Sequence, residues 1–240
     1  MTDMTIERDA EFRIGNVLTR AWQILGPNFL LFFCVTFVVA LPNLIFLLRD
    51  PTTPNLTLIF LSIFLTMVVN ALGQAIILFQ AFQYLRGRPV RIDAALQRAL
   101  ARFLPVVGAG LLYGLGIMFG LFLLVVPGLF LMTMWAVTVP VCVVEGLGPV
   151  ASLTRSSQLT KGYRWKVFGI LILLTIVSIV LNQLVTRLAA PLGIGVTALL
   201  TLIVTAAWAT YWNSALIMIY HDLRVAKEGA DTEQIASVFD

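Results

Sequence analysis

The chain reads as an all-α, polytopic membrane protein with six transmembrane helices arranged as three hairpin units, each preceded by an interfacial amphipathic helix. Three observations lead there. Of the 240 residues, 60% are hydrophobic and 12% charged, and the mean hydropathy is +0.96, far too apolar for a soluble domain of this size. The charges avoid long stretches: none lies between Arg20 and Arg49, Asp50 and Arg86, Arg102 and Glu145, Lys166 and Arg187, or Arg187 and Asp222. A short Leu-x-Arg-Ala/Ser pattern also recurs ahead of the apolar stretches, at 18–21, 96–99 and 153–156, around Arg20, Arg98 and Arg155. These arginines are 78 and 57 residues apart, so the repeat is a module of variable length rather than a fixed-period solenoid. The units run over 12–85, 91–146 and 149–220 within a single integral membrane domain, 1–240, that ends in a short tail, 221–240.

A bilayer crossing takes about 20 apolar residues. The first span is expected over 29–48 and the second over 58–84, with Arg49, Asp50, Pro51 and Pro54 forming the turn between them. The uncharged stretch 103–144 is long enough for two crossings, a third over 104–126 and a fourth ending near 144. Pro127-Gly128 is the breaker pair that divides them; a re-entrant hairpin is the alternative reading of this pair. The fifth span covers 167–185, followed by Arg187, Pro191 and Gly193, and the sixth covers 195–220.

The short repeated segments have helical periodicity. Phe12, Ile14, Val17, Leu18, Ala21, Trp22 and Leu25 recur at helical spacing in the first. The second, 92–103, gathers Ala95, Leu96, Ala99, Leu100 and Phe103 on one face, with Arg91, Arg98 and Arg102 around the other. Such helices belong in the membrane interface. The third carries Leu153 and Leu159 but is more polar, with Ser152, Thr154, Ser156, Ser157 and Gln158. One reading makes these segments elbows whose arginines contact lipid phosphates. The other has Arg20, Arg98 and Arg155 converge on a headgroup-binding site, because a guanidinium can hold a phosphate in a bidentate grip.

Orientation follows from the basic residues. With an even number of spans both termini share one side, and of the 16 Lys and Arg only Arg49 and Arg187 fall on the other. By the positive-inside rule the shared side is cytoplasmic. The net charge of +4 is then topological, and no basic tract with interleaved aromatics points to nucleic acid. The first ten residues contain Asp3, Glu7 and Asp9 and do not read as a cleavable signal peptide, so the first span is expected to act as the insertion signal.

Candidate functional residues are few. Asn70, Gln74 and Asn213 sit centrally in apolar spans and form a candidate polar core, either bonding to neighbouring helices or lining a polar cavity. Glu145 closes the fourth span and, with Arg164, Lys166, Asp222 and Arg224, makes a candidate cytoplasmic electrostatic cluster; a salt link from Glu145 to Arg155, Arg164 or Lys166 is the economical reading. Glycines 108, 110, 114, 116 and 120 form a ladder suited to close helix packing, within the monomer or across a dimer. Cys34 and Cys142 fall inside spans and read as packing residues, and His221 is the sole histidine. No metal-ligand spacing, phosphate-binding glycine loop or nucleophile–base pair is present, so neither cofactor nor metal is expected.

Pro127-Gly128, Trp135, Pro140, Glu145-Gly146, Ala151, Arg155-Ser156, Leu159, Gly162, Trp165 and Phe168, with a tail of Tyr220, Asp222-Leu223-Arg224, Lys227-Glu228-Gly229 and Asp231, form a pattern over nearly the whole chain. This pattern resembles the bacterial six-span proteins related to the glycerophosphoryl diester phosphodiesterase membrane domain and the YciC-like inner-membrane family. The resemblance implies a lipid-associated membrane module that in some relatives precedes a soluble phosphodiesterase barrel. Only 20 residues follow Tyr220 here, so the resemblance does not carry the activity. The leading expectation is a non-enzymatic module, a scaffold or partner in lipid metabolism or envelope maintenance, whose partners are membrane lipids and a membrane or envelope protein. A transporter or lipid-translocating protein is the alternative, and a membrane-embedded lipid-processing enzyme the third.

Overall fold

The computed structural model describes residues 12–43 and 101–229 and, between them, positions 57, 64–66, 69–70, 73–74, 76–77 and 97. The second repeated segment with Arg98, the turn at 49–54 and most of the second span lie outside the described residues. All regular structure among the described residues is helical. Helix α1 is Ile14–Ala40, continued by a 3-10 turn at Leu41–Asn43. Then follow α2 (Phe103–Leu123), α3 (Val125–Met134), α4 (Thr138–Val144), α5 (Pro149–Thr160), α6 (Arg164–Ala189), a 3-10 turn at Ala190–Leu192, and α7 (Ile194–Glu228).

Four stretches are long and apolar enough to cross a bilayer: Phe103–Leu123, Val125–Val144, Arg164–Leu192 and Ile194–Glu228, with α1 a fifth when its two arms are taken together. The fold is therefore a multi-pass helical membrane architecture. Helix α1 bends by 94° between Ile14–Gly26 and Phe29–Ala40. A proline at 27 has no N–H for the helical ladder, and glycine 26 before it is a poor helix former, so the bend falls where continuing the helix is least favourable. The Tyr211 hydroxyl of α7 donates to the Leu18 carbonyl at 3.3 Å and pins the elbow.

The division of the uncharged 103–144 stretch differs from the sequence expectation. The chain turns at Leu124, whose backbone is extended, and Pro127 and Gly128 lie inside the first turns of α3. A proline in the first helical turn removes an N–H that would have no intrahelical partner, so it starts a helix as readily as it ends one. Gly128 serves packing instead. A Cβ on Gly120 would stand 2.9 Å from the Gly128 Cα, and one on Gly116 would run into the Trp135 ring. The glycine ladder thus closes the α2–α3 hairpin within the monomer, and Gly108 extends it to Pro149, which a Cβ would meet at 2.9 Å.

The fourth span is itself broken. Residues 135–137 form a turn between α3 and α4, freeing backbone groups that need partners. Helix α5 supplies them from a completely buried stripe, Ser152, Ser156 and Thr160, spaced four apart; Ser152 bonds to the Gly148 carbonyl, and the other two reach the break. Ser156 Oγ donates to the Met134 carbonyl at 3.1 Å and accepts from the Val137 N–H at 3.3 Å, while Thr160 Oγ1 donates to the same carbonyl at 3.1 Å. The polar character of the third repeated segment therefore faces inward, and Val150 and Thr154 take the outer face.

The second arm of α1 packs against α7. Ala40, Leu202 and Ala206 are buried together, and the Thr36 and Thr210 hydroxyls meet at 2.7 Å. Thr205 Oγ1 donates to Asn182 Oδ1 at 3.0 Å and ties α7 to α6. The main core joins Leu25 and Phe32 of α1, Val137 and Val141, Leu159, Ile170 and Leu174, and Ile217, Ile219 and Leu223 of α7. At 35 residues α7 is about 52 Å long, well beyond an apolar thickness of about 30 Å. Its last turns carry His221, Asp222, Arg224, Lys227 and Glu228, which suits them to lie beyond the hydrocarbon.

Candidate functional site

Two places gather the polar groups. The first is a lattice of ion pairs where α4, α5 and α7 meet. Gly146, with φ +66, occupies the left-handed region open to glycine, and its carbonyl accepts a hydrogen bond from Arg102 at 2.6 Å. The turn this makes leaves Glu145 at the end of α4 facing α5 and α7. Arg155 Nε donates to Glu145 Oε2 at 2.9 Å, and the Tyr220 hydroxyl donates to Glu145 Oε1 at 3.0 Å. Arg155 also pairs through its other end with Glu228, which accepts from Arg224 Nε at 3.0 Å; Arg224 in turn donates to the Tyr220 oxygen at 3.3 Å. The lattice closes as a ring of charge-assisted bonds linking three helices.

The electrostatics follow from this geometry. Partial burial pushes the Glu228 carboxyl up, but hydrogen bonds from Arg155 and Arg224 outweigh it and hold the group below its ordinary value. Partial burial also works against the Arg155 charge, and the bonds to Glu228 and Glu145 more than restore it. Both arginine and carboxylate are charged at neutral pH, which makes the ring a fixed structural element.

The repeated arginines act alike where they are described. Arg20 pairs with Asp222 at 3.3 Å and Arg155 with Glu228, so each ties its own repeat segment to the end of α7. Their guanidinium groups face carboxylates of this chain, and Arg98 lies outside the described residues. Asp222 Oδ1 also meets His221 Nδ1 at 3.2 Å. Of the residues grouped with Glu145 from the sequence, Arg224 belongs to the same ring, whereas Asp222 pairs with Arg20. Arg164 instead stands over the Phe130 ring at 4.8 Å, and Lys166 Nζ donates to the Phe12 carbonyl at 2.9 Å. The partner that sequence reasoning passed over is Tyr220, whose place next to the charged end of α7 was the available signal.

The second place is a cavity of about 240 Å³ between the spans. Asn70 and Gln74 line it, together with Tyr113, Trp135, Thr138 and Trp212. Asn213 does not; its Nδ2 donates back to Ala209 of its own helix at 2.9 Å. The helix break at 135–137 faces this space, in keeping with the rule that irregular backbone in a membrane survives where protein buries it or a cavity borders it. Nothing in the sequence pattern marked Tyr113, Trp135 or Trp212 as cavity residues. Among the described residues no group of three His, Cys, Asp or Glu is placed to hold a metal ion.

Fold and spans together define a multi-pass, all-helical membrane protein. Comparison with family models, curated proteins and solved structures returned no match.

Proposed function

We propose that this protein is a non-enzymatic inner-membrane module with both termini in the cytoplasm, serving as a scaffold or partner in lipid metabolism or envelope maintenance. One observation carries the reading: the acids that could have formed a catalytic centre hold helices together. Glu145 joins α4 to α5 and α7, Glu228 joins α7 to α5, and Asp222 joins α7 to the elbow of α1. A carboxylate committed to arginine in this way is poorly suited to carry protons to a substrate. The resemblance to the glycerophosphoryl diester phosphodiesterase membrane domain supports the lipid association, and the excess of basic residues on one side supports the orientation. Purified full-length protein in detergent should leave glycerophosphodiester and phosphatidyl substrates intact. Hydrolysis that disappears in a folded Glu145→Gln variant would make the protein an enzyme and sink the proposal.

The cavity favours a second reading, translocation of a solute or lipid past the α3–α4 break. That reading requires flux or lipid scrambling in proteoliposomes, slowed when Asn70 and Gln74 are both replaced by Leu. Proteoliposomes no leakier than empty vesicles would dismiss it.

A further inference from the structure

The cavity beside the α3–α4 break has a lining whose hydrogen-bonding capacity is unused. Thr138 Oγ1 is committed to the Trp135 carbonyl at 2.7 Å, and one Asn70 N–H to the Thr66 carbonyl at 2.7 Å. The other polar side chains are open: the Gln74 amide, the Tyr113 hydroxyl and the indole N–H groups of Trp135 and Trp212 make no hydrogen bond with any described residue. These groups border one space and are free to bond with whatever occupies it.

An indole can only donate and a phenol donates readily, while each of the two amides offers both N–H donors and a carbonyl acceptor, so the lining can donate to a carbonyl-bearing ligand. None of the described lining residues is charged, which suits a neutral ligand better than an ionic one. The aromatic walls, Tyr113, Trp135 and Trp212, suit a flat ring. A volume of about 240 Å³ takes one ring or two fused rings. The backbone is arranged to the same end: the break that turns Trp135 out of regular helix is held open by Ser156 and Thr160 of α5.

From these features we infer that the cavity is a binding site for a neutral, flat, carbonyl-bearing ring of the quinone class. Its carbonyl oxygens accept from Gln74 and Tyr113, and its ring lies among the indoles. Binding of this kind goes beyond both functional readings, since it requires neither translocation nor catalysis. The ring could arrive free or as the head of an isoprenoid quinone whose tail stays in the bilayer.

The test uses the full chain in detergent, titrated with menadione as the tail-less probe and with a long-tailed menaquinone as the second arm, and reads tryptophan quenching and heat of binding. Saturable, one-per-chain binding of either probe is expected, weakened roughly tenfold in Gln74→Leu and again in Tyr113→Phe, as a lost hydrogen bond predicts. Menadione binding alone identifies a free ring as the natural form, and binding of the long-tailed arm a membrane-anchored one. Thermal unfolding of each variant separates a lost contact from a lost fold. Quenching that rises without saturation, or saturates equally in wild type and both folded variants, overturns the site.

Discussion

Gly128→Leu should destabilise the protein by about 3 kcal/mol or more, read as a lower thermal midpoint in detergent and a smaller folded fraction in membranes. The magnitude follows from what a side chain would meet. A Cβ at Gly128 already lies 2.7 Å from the Leu121 backbone nitrogen, and Gly120, on the facing helix, would strike the Gly128 backbone at 2.9 Å. Backbone cannot rotate aside as a flexible side chain can, so the α2–α3 hairpin must splay. Splaying would also lift Trp135 from Gly116, against which its ring is seated. In lipid there is little hydrophobic drive to hold such helices together once close contact is lost. Gly195→Ala is the control: nothing lies within 4 Å of a Cβ there, and helix propensity makes it neutral or mildly stabilising. Equal loss from both substitutions would mean that the ladder has no packing role.

The same glycines show how far the fold was legible beforehand. Their spacing announced close packing in one apolar stretch, and the charge-free gaps marked the apolar stretches that the described spans occupy. The position of the turn was not legible, because Leu124 has the composition of its neighbours and the only breaker nearby, Pro127-Gly128, is compatible with a helix start as well as a stop. The α3–α4 break was hidden for a related reason: residues 135–137, Trp-Ala-Val, contain no breaker, and the break is held open by hydroxyls 19 to 26 residues further on. Those hydroxyls were visible as a polar third segment. Their target was not, since spacing of four shows that Ser152, Ser156 and Thr160 share a face but not which helix that face meets. For the sites, the amides at 70 and 74 line one cavity, while Asn213 donates to its own helix carbonyl.

Arg155→Ala should cost about 2 kcal/mol at neutral pH, because it removes a shared cation and leaves two carboxylates facing each other's field. Arg155 is 26% exposed, Glu145 15% and Glu228 27%, so solvent screens part of the loss and the effect falls short of a fully buried pair. A double-mutant cycle separates the contact from general damage. Arg155→Ala with Glu228→Ala should cost less than the sum of the two single changes, since each removes the same bond. Acidification supplies an independent check. Glu228 has its folded value below the ordinary carboxylate value, so its contribution is fully present above that ordinary value, roughly 4.3, and is lost as pH falls through the depressed one. Wild type should therefore lose stability on acidification below about pH 4.3, and the Arg155→Ala variant should show a shallower loss over the same range. Identical pH profiles would mean that the ring, though geometrically closed, does not couple α5 to α7. If the profiles differ as expected, Arg155 is shown to stabilise the assembly of its own repeat, and its pattern in the sequence is explained by construction of the fold before any ligand is invoked.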